Sequence, residues 1–487
     1  MDRKTIVSLS TLIAFVGVLH APVFAKTSWF HPIELLQKKQ TFNVPKKYNS
    51  PQLPDVDSPN SAASISWRRF FSDPYLIALI EKALANNQEF NIAIQDIQIA
   101  ANEVKERQSE YLPKVGLGAG GSYIHPSENT PEGVLDTLTE REFYRYPDYN
   151  LNLGPSLSWE VDIWKKLRTE KTAAVTRYLA TIEGKNFVIT NLIAEIADAY
   201  YELLSLDNQL EIVRQTIGLQ KNALEIVRVQ KDAARVTELA VKKFEAEVLG
   251  SQSMEFDLLQ KIKEKENEIN FLVGRYPQPV VRDKSAFMSL MPQQVSAGIP
   301  SQLLKNRPDI KQAELELTAA ELDVKVARAE FLPSFEISSA IGINAFKPSY
   351  LVKFPESVLF SLAGDLAGPL INKNAIKAEF ANANARQLQA LYNYERTILN
   401  AYVEVSTGLS GLDNLQKAYD VKTKEVNALV NSVDIANDLF KSARADYFEV
   451  LMTQRDALES KLELTETKLR QFNAVVNIYR SLGGGWN

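Results

Sequence analysis

The chain has 487 residues, 45% of them hydrophobic and 24% charged, with a formal net charge of −5, values ordinary for a folded protein. The mildly acidic balance contains no basic block and gives no electrostatic case for nucleic acid. There is no cysteine, which excludes disulfides, thiolate zinc sites, a cysteine nucleophile and an acylated N-terminal cysteine in this sequence.

Arg3 and Lys4 form a short positive head, Ile6 to Leu19 an apolar stretch, and Val23-Phe24-Ala25 places small or short residues at a cleavage position. This is the pattern of a secretory signal over residues 1–25, too short for a spanning helix. Removing Asp2, Arg3 and Lys4 with it takes the net charge from −5 to −6. A Pro-rich tail, 26–63, follows. Beyond the signal no apolar run reaches the roughly 18 residues of a membrane helix, so any crossing has to be a β-barrel.

Residues 86–113 carry a ladder of Phe90, Ala93, Ile97, Ala100, Val104, Arg107 and Tyr111, stopped by Pro113; the spacing predicts an amphipathic helix. The period then switches to two. Over 114–123, Val115, Leu117, Ala119 and Tyr123 oppose Gly116, Gly118, Gly120 and Ser122. Over 150–161, Leu151, Leu153, Pro155, Leu157, Trp159 and Val161 oppose Asn150, Asn152, Gly154, Ser156, Ser158 and Glu160. These are two strands, joined by a long connection, 125–148, rich in Pro, Glu and Asp. From Ile189 a strict seam runs through Leu192, Ile196, Ala199, Leu203, Leu206, Leu210, Val213, Ile217, Gln220, Leu224 and Val227. A 3.5-residue period held that long makes a coiled-coil helix rather than a globular one. A turn at 232–237 and a returning helix, Leu239 to Val273, close the first half at Gly274.

The second half repeats the first. With an offset of 220, Asn306 falls on Asn86 and Glu330-Phe331-Leu332-Pro333 on Glu110-Tyr111-Leu112-Pro113. With an offset of 202 the seam recurs from Leu391 to Leu429, and its one lysine, Lys422, falls on Gln220. Two more strands are expected between these helices. At 335–345 Phe335, Ile337, Ile341 and Ile343 alternate with Glu336, Ser338, Gly342 and Asn344; around 357–366 Val358, Phe360, Leu362 and Leu366 do so more weakly. A turn at 441–446 and a helix from Val450 to Leu482 end the chain. The expected organisation is therefore a first repeat, 64–274, a connector, 275–303, and a second repeat, 304–487.

Segments of about ten residues alternating apolar with small or polar suit a transmembrane barrel, and Tyr123, Tyr146, Tyr149, Trp159, Phe346 and Tyr350 cluster near their ends as interfacial girdles do. The lipid-facing set expected is Val115, Leu117, Leu151, Leu153, Leu157, Trp159, Ile337, Ile341, Ile343, Val358 and Phe360. Four strands leave two open edges, each costing tens of kcal/mol in lipid at several kcal/mol per unpaired group. Spanning therefore forces closed assembly: two copies make a filled barrel, and three make one wide enough for a pore.

Nothing supports catalysis or a bound cofactor. His31 and His125 have no partner motif, and Gly116-Leu117-Gly118-Ala119-Gly120-Gly121 lies within a strand pattern rather than between a strand and a helix, as a dinucleotide loop would.

Four segments resemble the outer membrane factor family, and the resemblance covers residues 64–487. They are Ser66-Trp67-Arg68-Arg69-Phe70-Phe71-Ser72-Asp73-Pro74 with Leu84-Ala85-Asn86-Asn87, Ser156-Leu157-Ser158-Trp159-Glu160-Val161-Asp162, Asn306-Arg307-Pro308-Asp309-Ile310, and Tyr479-Arg480-Ser481-Leu482-Gly483-Gly484-Gly485-Trp486. The resemblance implies an α+β membrane protein. Antiparallel α-helical coiled coils would form a tunnel in the periplasm, and four transmembrane β-strands per chain would complete a 12-stranded barrel in the outer membrane as a homotrimer. It also implies a passive efflux duct rather than an enzyme, partnered by a periplasmic adaptor protein and an inner-membrane transporter of the resistance-nodulation-division (RND) type. A protein-secretion duct and a non-conducting periplasmic coiled coil are the alternatives. Without an acylated cysteine the barrel alone is expected to hold the protein in the membrane. The family places a gate with rings of carboxylates at the helical tips. Here Glu449 falls on one acidic position, whereas Met452 and Ala240 stand where the family often has acids. Glu238 sits beside Ala240, and Arg235, Arg444 and Asp446 are the candidates for tip ion pairs.

Overall fold

The computed structural model describes residues 62–123, 149–369 and 373–486 apart from 286, 294 and 443, and a few positions between 45 and 48 and between 127 and 134. The signal segment, nearly all of the 26–63 tail, and Tyr146 with most of the 125–148 connection lie outside the described residues.

The first half runs α1 (Trp67–Phe70), α2 (Pro74–Asn86), α3 (Gln88–Glu110), β1 (Lys114–Tyr123), β2 (Tyr149–Glu160), α4 (Lys166–Asp232) and α5 (Glu238–Leu272). After the connector come α6 (Leu303–Asn306), α7 (Pro308–Ala329), β3 (Ser334–Ala345), β4 (Val358–Ala367), α8 (Asn374–Lys441) and α9 (Tyr447–Ser481). Helices α4 and α8 have 67 and 68 residues, about 100 Å each at 1.5 Å per residue. Every α4 seam position from Leu192 to Val227 is buried. On α8 no seam position is exposed, although only Ile398, Ala401, Val405 and Val426 are fully buried.

The duplication extends to the hydrogen bonds that end the return helices. Gly274 (φ 72°) and Gly483 (φ 87°) take up left-handed backbone after α5 and α9. The amides of Arg275 and Gly484 reach back to Asn270 and Tyr479 at 2.9 and 3.0 Å, which is the Schellman arrangement. A Cβ on either glycine would lie about 2.5 Å from the carbonyl oxygen of Asn86 or Asn306, so the close approach as well as the φ demands glycine. One residue further along, Asn87 donates to Leu272 O at 2.8 Å and Arg307 to Ser481 O at 2.9 Å. In both repeats, then, the start of the first long helix is tied to the last turn of the return helix.

The core is not continuous. A large cluster follows α4 from Leu192 to Ile217 and takes in α2, parts of α5 and α9 as far as Leu458, and Val280 and Phe287 of the connector. A smaller one centres on Ile310, Ile398, Ala401, Val405 and Ile478. A third lies at the helical tips and joins Leu224 and Val227 to Ala240, Val241, Phe244, Val248, Val450 and Leu451.

Candidate functional site

The four strands form one antiparallel sheet in the order β1-β2-β3-β4. Its register places Val115 opposite Leu157, Leu153 opposite Ile343, Trp159 opposite Ile337, Ile341 opposite Phe360, and Ile343 opposite Val358. Directly paired residues share a face, so all eleven apolar positions expected from the alternation lie on one side of the sheet. Val115 and Leu117 are 71% and 79% exposed there. A one-residue slip in any strand would have scattered them.

Apart from Leu359, the other face carries polar and small residues such as Gly116, Gly118, Ser156, Ser158, Ser338 and Ala363, with Asn344 donating to Asn150 at 2.5 Å. At its helix-proximal end Glu160, Glu336 and Asp365 sit in one cross-strand row. Ser158 donates to Glu336 at 2.7 Å, and Lys166 lies 3.5 Å from Glu160. The sequence could not announce this row, because it exists only once three strands are in register. In the middle of the sheet β2 and β3 approach closely: a Cβ on Gly154 would meet Ile341 O at 2.3 Å.

The strand-to-helix joint after β2 is built by Asp162. Its carboxylate accepts from the amides of Leu167 and Arg168 at 3.1 and 3.0 Å and from the Arg168 side chain at 2.9 Å. This caps α4, the helix dipole favouring the negative charge. Lys165 turns the chain with φ 60°.

At the tips the structure departs from the expected ion pairs. Asp446 is the N-cap of α9, accepting from the amides of Phe448 and Glu449 at 2.6 and 3.1 Å. A carboxylate facing two backbone amides satisfies helix-start donors that would otherwise be orphaned, and no ion pair joins Asp446, Arg235 and Arg444 among the described residues. Glu238 pairs instead with Lys231 across the α4–α5 turn at 2.8 Å. Glu449 is exposed in the first turn of α9, and Ala240 is fully buried in the tip core. Of the five tip candidates, then, Asp446 and Glu238 are the two whose side chains are held, one by backbone amides and one by a lysine.

Two polar features near the return-helix ends were not singled out in the sequence. Arg307, within the Asn306–Ile310 motif, is buried and donates to Asp309 at 2.6 and 3.0 Å and to Glu404 at 2.6 Å. The opposing carboxylates keep its guanidinium charged against the cost of burial. A cavity of about 300 Å³ opens beside it, lined by Thr190, Asn191, Glu195 and Arg480 among others. Asp198 lies close by on α4 with a buried Oδ1 that has no hydrogen-bond partner among the described residues. Burial raises its pKa to about 7, against the pull of Arg480 and with a further push from Glu195 and Glu202.

A sheet with one apolar and one polar face, carried on two helices about 100 Å long, belongs to the class of envelope-spanning channel components. The family model described as outer membrane efflux protein matches residues 79–275 and 299–484. The chain belongs to that family and is the outer-membrane component of a tripartite efflux system. It is 26% identical to the pyoverdine export outer membrane protein OpmQ of Pseudomonas aeruginosa over 86% of this chain and 87% of that one. It is also 26% identical to the probable outer membrane lipoprotein SilC of Salmonella typhimurium over the full length of both. The solved structure of the channel protein CusC shares the fold with a TM-score of 0.78 at 24% identity, over 91% of this chain and 99% of that one.

Proposed function

We propose that three copies of this chain close into a passive duct through which an inner-membrane pump, joined by a periplasmic adaptor, expels solutes across the outer membrane. Three copies of a four-stranded sheet make twelve strands, leaving no edge in lipid and a lumen lined by the Gly- and Ser-rich face. Val115, Leu117, Leu151, Leu153, Leu157, Trp159, Ile337, Ile341, Ile343, Val358 and Phe360 then face the lipid. The tips, with Glu449 directed toward the threefold axis, form the periplasmic gate. The family resemblance favours a pump of the RND type.

The observation that carries this reading is an unfilled copy of an internal contact. Within the chain α4 packs on α7, through the Arg177–Asp323 ion pair and through Gly184 against Gln312. The repeat turns α4 into α8 and α7 into α3. Thr190 on α4 is buried, whereas its repeat mate Tyr392 is 64% exposed. Ala319 on α7 is likewise buried and its mate Ile99 is 65% exposed. The α8 face of one copy and the α3 face of the next complete the pattern, and a head-to-tail contact of this kind generates a ring when its rotation closes after three copies.

The Gly184–Gln312 contact maps onto Arg386 and Ile92 of neighbouring copies. In the cysteine-free background, an Ile92→Cys and Arg386→Cys double variant should give oxidant-dependent dimers and trimers on denaturing gels, while each single variant stays largely monomeric. Monomers alone from the double variant would refute the ring.

A further inference from the structure

The tip core and the main core are separated by a band of polar and small residues that crosses all four long helices at one level. Known contacts fix the levels. Arg214–Glu255 at 2.7 Å and Lys231–Glu238 at 2.8 Å set α4 against α5. Thr465 donating to Asn208 at 3.0 Å sets α9 against α4, and Gln471 donating to Leu415 O at 3.3 Å sets α9 against α8. Antiparallel helices of equal rise then place Gln220 of α4 level with Gly250 and Ser251 of α5, with Gln454 of α9, and with the exposed Asn431 and Ser432 of α8.

Gln220 is 1% exposed, and among the described residues neither its Nε2 nor its Oε1 has a hydrogen-bond partner; Gln454, at 8%, leaves its Oε1 unpaired there. Native interiors rarely leave such groups alone. Above the band lie Val213, Ile217 and Leu458 of the main core; below it lie Leu224, Val227, Val450 and Leu451 of the tip core. Two helix-interior glycines, Gly218 and Gly250, fall within a turn of this level, and such residues weaken a helix locally. The seam's other polar member behaves differently: Lys422 is only partly buried and pairs with Glu425 and Glu463.

We propose that this band is a hydrated hinge, on which the last three turns of both hairpins pivot as one unit relative to the shaft. Water entering the band satisfies the carboxamides when the tip swings, and the apolar layers on either side stay intact. The hinge rests on the channel reading only for its consequence, the opening of the tip.

The test is hydrogen exchange of the detergent-solubilised full chain together with single-channel recording in planar bilayers. A Gln220→Leu and Gln454→Leu double variant would fuse the two cores. A Gly218→Ala and Gly250→Ala double variant would stiffen the helices without a clash, since nothing among the described residues lies within 4 Å of a Cβ at either position. Gly411→Ala, equally unobstructed but on the shaft, is the control. Amides of 221–231 and 239–249 should exchange roughly tenfold more slowly in both double variants, with rarer openings, and as wild type in the control. Unchanged exchange in the double variants, or equal slowing by Gly411→Ala, overturns the hinge. Slower exchange with unchanged opening keeps the hinge and removes the tip from gating.

Discussion

Replacing Asp198 by asparagine should stabilise the protein at high pH and leave it unchanged in acid. The carboxylate sits on α4 within the main core, with Arg480 the one cation bearing on it among the described residues and Glu195 and Glu202 adding like charge from the same helix. Arg480 also bears on Glu195, which is pushed upward by burial first and then by Glu89 and Glu268. A rise from the ordinary 3.8 to about 7 corresponds to roughly 4 kcal/mol, at about 1.4 kcal/mol per pH unit. A folded-state pKa raised above the unfolded one means that the unfolded chain releases the proton first. The penalty is therefore absent below pH ~4, grows between pH ~4 and ~7, and is complete above ~7. Asparagine has nearly the same shape and no charge, so the variant should escape the penalty. Thermal unfolding of the detergent-solubilised protein from pH 4 to pH 8 checks this. The curve of the Asp198→Asn variant should run flatter, with the gap widening by about 2–4 kcal/mol per chain across the range. A gap that does not change with pH would show that Asp198 is ionised at no cost and would refute the reasoning.

Ala234 holds φ 55° in the turn after α4, a conformation that costs a side chain roughly 1 kcal/mol. Ala234→Gly should raise the stability of the first tip by about that amount, read as slower hydrogen exchange at 225–245. Gly154→Val places a side chain within 2.3–2.5 Å of β3 backbone; it should abolish assembled, heat-resistant oligomers on gels while leaving the helical signal in circular dichroism. Glu449→Gln removes one exposed carboxylate per chain at the tips. In bilayers it should reduce cation preference, read as a shift in reversal potential under a salt gradient, and wild-type behaviour would take Glu449 out of the gate.

What the sequence disclosed and what it withheld divide along a physical line. Periodicity reports which residues share a face, because a buried seam or a sheet face constrains every third, fourth or second position. The α4 seam and the eleven apolar strand positions are thus legible one segment at a time, and the four observed strands start and end within a residue of the expected bounds. Register between segments leaves no such trace. The Glu160–Glu336–Asp365 row, the Asn87 and Arg307 ties and the band around Gln220 each join residues far apart in the chain. Each can be read only after the antiparallel partners have been aligned.

The tip shows how a local rule can displace a longer-range expectation. Asp446 precedes a helix, and two unpaired amides lie within reach of its carboxylate. That capping competes directly with a surface ion pair, which would contribute only about 0–1 kcal/mol against about 1 kcal/mol for the cap. A cation recruited from Arg235 or Arg444 would also have to give up side-chain freedom that the backbone amides have already lost. The same comparison explains why Glu238, free of any capping role, pairs with Lys231. Ion pairs among these five residues therefore do not fasten the tip, whose core of Leu224, Val227, Phe244 and Val450 moves as one piece on the hinge proposed above. A tip fastened so little by surface charge should open with little dependence on salt.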